Sequence, residues 1–145
     1  MRKIKFKAKR LDNGEWAYGY GVIIADDFCV LDKRDELYIQ RPYTFRNNTH
    51  WFELCGIMCD TNTLSQFTGL CTCDGREIFE GDIVKFVAHD GLGNELGNQQ
   101  GIVNYKFGCY LIGGYDMYDI LLNDDEAEII GNIHDNPELL NGKNE

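Results

Sequence analysis

The sequence predicts a mainly β protein: an N-terminal β-hairpin lobe followed by a small antiparallel barrel with a short C-terminal helical turn. Apolar residues recur with a period of two far more often than 3.6. The alternating runs are separated by Asp-Asn-Gly, Asp-Gly and Glu-Gly-Asp, residue types that accept the backbone angles of tight turns. With 43% apolar and 12% aromatic residues, 145 positions suffice for one domain or two small lobes. Such a chain buries roughly two thirds of its unfolded surface and needs no disulfide staple.

Taken in order, Ile4, Phe6 and Ala8 alternate with Lys3, Lys5, Lys7 and Lys9, the pattern of a half-buried strand with one wet face. Asp12-Asn13-Gly14 supplies a turn, and Trp16, Tyr18, Tyr20, Val22 and Ile24 form the returning strand. Short strands follow at 29–32 and 37–41, Pro42 interrupts, and 49–58 is apolar without a clear period. A boundary near 60–63 separates a lobe of residues 1–62 from a barrel of residues 63–140, and 141–145 form a frayed tail. In the barrel, 66–70 leads through Asp74-Gly75 into 77–79, and Glu80-Gly81-Asp82 turns the chain again. Val84, Phe86 and Ala88 share one face, Val103, Tyr105 and Phe107 repeat it, and 110–112, 119–122 and 128–133 complete the meander. Burial is expected at Val84, Phe86, Val103, Tyr105 and Ile129. The glycine-rich stretch 90–98 reads as a mobile connection, without the Lys-Ser or Lys-Thr of a phosphate loop. Asn136-Pro137 supplies an N-cap and a first-turn proline for a helical turn at 137–140.

The formal net charge is -10, with base concentrated at Arg2, Lys3, Lys5, Lys7, Lys9 and Arg10 and acid at Asp116, Asp119, Asp124, Asp125, Glu126 and Glu128. A field of this sign repels phosphate backbones, which argues against nucleic acid as the default partner. No apolar run approaches the roughly 20 residues of a membrane span, and Met1-Arg2-Lys3-Ile4-Lys5 is not followed by the apolar stretch of a secretory signal. The expected location is the cytoplasm, where the six cysteines stay reduced.

Cys55, Cys59, Cys71 and Cys73 match the number of ligands in a structural zinc site, but neither pair has the two-residue gap of a zinc knuckle. On an extended strand Cys55 and Cys59 stand roughly 13 Å apart, too far to share a tetrahedral ion unless a turn or helix brings them together. Free thiols and no metal are the expectation. Ser65, the sole serine, lacks a nucleophile-elbow context, and His50, His89 and His134 are widely spaced. No cofactor and no catalytic residue is expected.

The run Ser65-Gln66-Phe67-Thr68-Gly69-Leu70, the run Asp74-Gly75-Arg76-Glu77-Ile78-Phe79-Glu80-Gly81-Asp82-Ile83-Val84-Lys85 and the later Ile130-Gly131-Asn132-Ile133-His134-Asp135-Asn136-Pro137-Glu138-Leu139-Leu140 resemble the YopX family of phage and prophage proteins. The resemblance extends to the opening Arg2-Lys3-Ile4-Lys5-Phe6-Lys7-Ala8. It implies an SH3-like barrel for the second half and a place in a phage or an integrated prophage of a bacterial host. It brings no biochemical activity with it. The expected function is that of a phage or prophage accessory protein acting as a non-enzymatic protein-interaction or self-assembly module. The candidate surface sets Lys3, Lys5, Lys7, Lys9, Trp16 and Tyr18 of one copy against Asp116, Asp124 and Asp125 of another, giving a homo-oligomer. A phage or host protein is the other class of partner, and no membrane is expected. The competing reading is a nucleic-acid-binding accessory factor that uses the basic first strand with Trp16, Tyr18 and Tyr20 for stacking.

Overall fold

The computed structural model describes residues 3–19, 23–24, 31–33, 36–38, 51–54, 57–123 and 126–143. The chain is mainly β and divides into two compact units, Met1–Phe67 and Thr68–Glu145. The dividing point lies five residues beyond the expected one at 62/63. The reason is pairing: Ser65 and Gln66 are registered with Lys7 and Phe6 and so belong to the first unit.

In the first unit, β1 (Phe6–Lys9) and β2 (Trp16–Gly19) form the expected hairpin. Gly14, at φ 70°, takes the left-handed conformation that the turn requires. β3 (Ile23–Ile24) pairs with β6 (Trp51–Leu54), which pairs antiparallel with β7 (Ile57–Asp60). The ambiguous apolar stretch is strand where it is described, at 51–54 and 57–58. β4 (Leu31–Lys33) and β5 (Glu36–Tyr38) pair antiparallel with each other. Tyr20, Val22, His50 and Cys55 lie outside the described residues, as do 29–30 and 39–41 of the expected strands. After a 3-10 turn at Thr61–Thr63 comes β8 (Ser65–Cys71), whose first residues pair with β1. Ala8, Ala17 and Cys59 are buried together, with Phe6 and Leu64 packed against them. Small side chains suit this site because the backbones of β1 and β7 come close, with Arg10 bridged to Cys59.

The second unit is organised around β10 (Asp82–His89), which pairs on one edge with β11 (Glu95–Lys106) and on the other with β14 (Glu128–Asn132). β12 (Cys109–Ile112) and β13 (Tyr115–Asp116) extend the sheet in the order β13-β12-β11-β10-β14. This order has two ends, so the closure expected of an SH3-like barrel is not formed by the described strands. The end of β8 and β9 (Glu77–Phe79) lie beside each other, and the Thr68 hydroxyl donates to the carbonyl of Ile78 at 2.8 Å. Ile78, Val84, Phe86, Ala88, Val103 and Ile112 make one core with Met117, Ile120 and Ala127. Full burial of a Phe or Ile side chain contributes about 1.5–3 kcal/mol, so this group outweighs the described Ala8–Ala17–Cys59 cluster.

The expected strand at 119–122 is a helix, α1 (Met117–Asn123). Met117 and Ile120 are three residues apart and reach the core from one face, while the Asp116 carboxylate accepts from the Asp119 N–H at 3.1 Å as a cap. The expected mobile stretch 90–98 shrinks to a connection at 90–94, because β11 begins at Glu95. Of the residues expected to be buried, Val84, Phe86 and Val103 are, and Ile129 is partly buried against the core. Tyr105 is 57% exposed and Phe107 is 89% exposed, because β11 outruns the core before it turns. Where β11 passes the corner between β12 and β13, backbone lies on backbone: a Cβ on Gly101 would stand 2.4 Å from the nitrogen of Gly113. A 3-10 turn spans Pro137–Lys143, so 141–143 continue it rather than fray.

Candidate interaction surfaces

In the β1–β2 hairpin, Lys7 is registered with Tyr18 and Lys9 with Trp16, which places these side chains on the face opposite Ala8 and Ala17. The Lys7 ammonium stands 4.8 Å from the centre of the Trp16 ring, Lys9 at 5.4 Å from the same ring, and Lys5 at 5.4 Å from Tyr18. Lys7 is only 7% exposed, and Lys5 and Lys9 are half-buried. The expected wet lysine face is thus covered by aromatic rings. Nor is β1 an edge, since it lies between β2 and β8. Lys3 is exposed. At the hairpin turn, Arg10 donates to Asp12 at 2.8 and 2.5 Å, and this contact holds the Asp12 carboxyl below the usual carboxylate range.

The acidic half of the expected surface is only partly described, since Asp124 and Asp125 lie outside the described residues. Asp116 is occupied at the start of α1. On the outward side of that helix, Tyr118 is 60% and Leu122 is 62% exposed, one turn apart and beside exposed Asp119.

A second feature was not anticipated. Gln100, Ile102, Asn104 and Lys106 alternate with the core residue Val103, and Leu111 is registered with Asn104, so these side chains share the outer face of the sheet. They line an open cleft of about 670 Å³ with Leu140 from the C-terminal turn and Phe107. Gln100 donates to the carbonyl of Leu139 at 2.6 Å and fixes that turn beside the cleft. Among the described residues that line it none is acidic, and Lys106 is their one charge. Phe107 has φ 55° and Gly108 φ 83°, the backbone of a two-residue hairpin turn that favours Asn-Gly. A bulky side chain in the left-handed region is strained by about 1–2 kcal/mol. Here it carries an aromatic ring into solvent, with Lys106 at 5.5 Å from its centre. The sequence signal lay in the dipeptide Phe107-Gly108 following an alternating strand.

The YopX-like runs supply scaffold. Asn132 accepts from the N–H groups of His134 and Asp135, both at 3.0 Å, and donates to Asp135 at 2.9 Å. Asp82 is buried and accepts from the Phe79 N–H at 2.8 Å, while Gly81 donates to Val103 and accepts from Ile133. The Thr72 hydroxyl donates to Asp74 and holds that carboxyl below the usual range. At the β10–β11 turn, the Asp90 carboxylate accepts from the Asn94 side chain at 2.9 Å and from the Leu92 and Asn94 N–H groups at 2.8 and 2.9 Å. These contacts, the Asn94 side chain foremost, lower its pKa.

Ser65 is buried and donates to the carbonyl of Thr63 at 3.3 Å. His89 and His134 are half-buried in the second unit. Cys59 lies in the core of the first unit, whereas Cys71 and Cys73 are exposed in the second. Among the described residues no three His, Cys, Asp or Glu side chains are grouped as metal ligands, and no helix is long and apolar enough to cross a membrane.

A family model described as YopX protein matches residues 5–141. The crystal structure of protein EF1440 from Enterococcus faecalis is similar at a TM-score of 0.52 and 25% identity, covering 94% of this chain and 97% of that one. No match was found among curated proteins. The chain belongs to the YopX family.

Proposed function

We propose that this YopX-family chain is a non-enzymatic protein-interaction module of a phage or prophage, and that it self-assembles in the cytoplasm of the bacterial host. The observation that carries the reading is Phe107, an aromatic ring held in solvent at φ 55° beside a cleft whose described lining residues include no carboxylate. Strain of this kind persists where the surrounding structure imposes it and marks contact sites. Exposed aromatics in a polar setting are the usual anchors of protein interfaces. In a chain with 24 acidic and 14 basic residues, a patch lacking acid is where another copy approaches with least repulsion.

Light scattering at tens of micromolar, in low and high salt, tests the reading. Assemblies heavier than the 16.6 kDa chain are expected, and a monomer under both conditions rejects self-assembly.

A second reading, a nucleic-acid-binding accessory factor, draws support from Lys5, Lys7 and Lys9 interleaved with Trp16 and Tyr18 on one face. It requires retention of single-stranded DNA or RNA that falls steeply with salt and is lost on Trp16→Ala. Salt-independent absence of retention removes it.

A further inference from the structure

The second unit presents two exposed apolar patches on opposite sides of its sheet. On the outer face, Phe107 and Lys106 flank the cleft lined by Ile102, Leu111 and Leu140. On the core side, α1 sends Met117 and Ile120 inward and leaves Tyr118 and Leu122 exposed. The charges of the patches are opposite. Among its described lining residues the cleft has Lys106 and no acid, whereas the helix patch has Asp119 beside it, and the sequence holds no Lys or Arg between Lys106 and Lys143.

We propose that the outward face of α1 in one copy docks into the Lys106–Phe107 cleft of the next, so that assembly runs head to tail. The proposal rests on the self-assembly reading above and names its contact. Tyr118 and Leu122, four residues apart, supply the paired anchors by which a short helix engages an apolar groove, with Asp119 placed to meet Lys106. Like-to-like contacts are disfavoured, because two α1 faces would juxtapose carboxylates and two clefts would juxtapose lysines. Because the patches lie on opposite faces of the sheet, each docking event leaves one of each kind open. A heterologous contact of this sort yields a ring if its rotation closes and a filament if it does not.

Two exposed-site variants test this. Lys106→Glu blocks the cleft and leaves the helix patch intact, while Leu122→Glu does the reverse. Each alone is expected to be a 16.6 kDa monomer by light scattering, and an equimolar mixture to give a species of twice that mass and no larger. Circular dichroism and melting confirm folding, and Phe107→Asn with Tyr118→Lys repeat the test if either first variant fails to fold. A monomeric wild type overturns the self-assembly reading itself. Assemblies untouched by both variants keep that reading and reject this contact. Two monomeric variants that stay monomeric when mixed reject the head-to-tail pairing.

Discussion

The β1–β2 and β11–β12 hairpins come from similar sequence, alternating strands with lysines and aromatics meeting at a glycine-containing turn, and they use their aromatic residues in opposite ways. In the first, cross-strand register sets Trp16 over Lys7 and Lys9, so the rings cover charge and the strand can lie between two neighbours. In the second, the turn falls on Phe107 itself, and the ring points away from the strands that might have buried it. Aromatic content alone therefore does not locate a contact surface. Position relative to the turn decides whether a ring packs or stands in solvent.

The largest effect is expected away from both hairpin faces, as their common reference. Phe86→Ala, at a core residue only 2% exposed, should lower stability by about 3–5 kcal/mol in denaturant unfolding. A near-neutral result would show that the core of the second unit is not where its fold is held. Next comes Trp16→Ala. Removing two cation–aromatic contacts of about 0.5–1 kcal/mol each, together with roughly 1 kcal/mol for a half-buried ring, should destabilise by roughly 2–3 kcal/mol. An unchanged midpoint would break the contrast, because the first hairpin's ring would then be as dispensable for stability as the second's. Phe107→Asn should go the other way, raising stability by about 1 kcal/mol as the turn gains a residue suited to positive φ. A loss would mean that the Phe107 ring packs in the native state. The smallest effect concerns the β10–β11 turn. Because Asp90 has a depressed native pKa, its stabilisation is present above the unfolded-chain value of about 3.9 and is lost as pH falls through the native value. Asp90→Asn should therefore flatten the fall in melting temperature below about pH 4, and an identical acid profile would remove Asp90 as a contributor.

Much of the β architecture was legible in the sequence because alternation and turn chemistry are local. The β1–β2 hairpin, β9, β10 and β14 all follow from residues within a few positions of one another. What was hidden depends on register or on competition between elements. The lysine row read as wet, since nothing local says that Trp16 and Tyr18 will stand across from it. The segment after Asp116 read as strand, because Tyr118, Ile120 and Leu122 also alternate; the cap at Asp116 and the core's reach for Met117 and Ile120 decide for helix. Tyr105 and Phe107 read as core because their period is right, but the period says nothing of where the neighbouring strands end. The cleft joins residues near 100–114 with Leu140, a meeting produced only by the folded C-terminal turn.

The contact between Gly101 and Gly113 restricts how this chain can diverge. A side chain at 101 collides with main-chain atoms of Ile112 and Gly113, so no shrinking of a neighbouring residue can make room for it. At 113 the obstacle is doubled, by φ 57° and by the Cα of Gly101 at 3.2 Å from the added carbon. Neither site can accept a substitution through compensation at the other, as pairs of facing side chains often can. A library randomised at both positions and selected for folded protein should return glycine twice, however freely the exposed residues around the cleft vary.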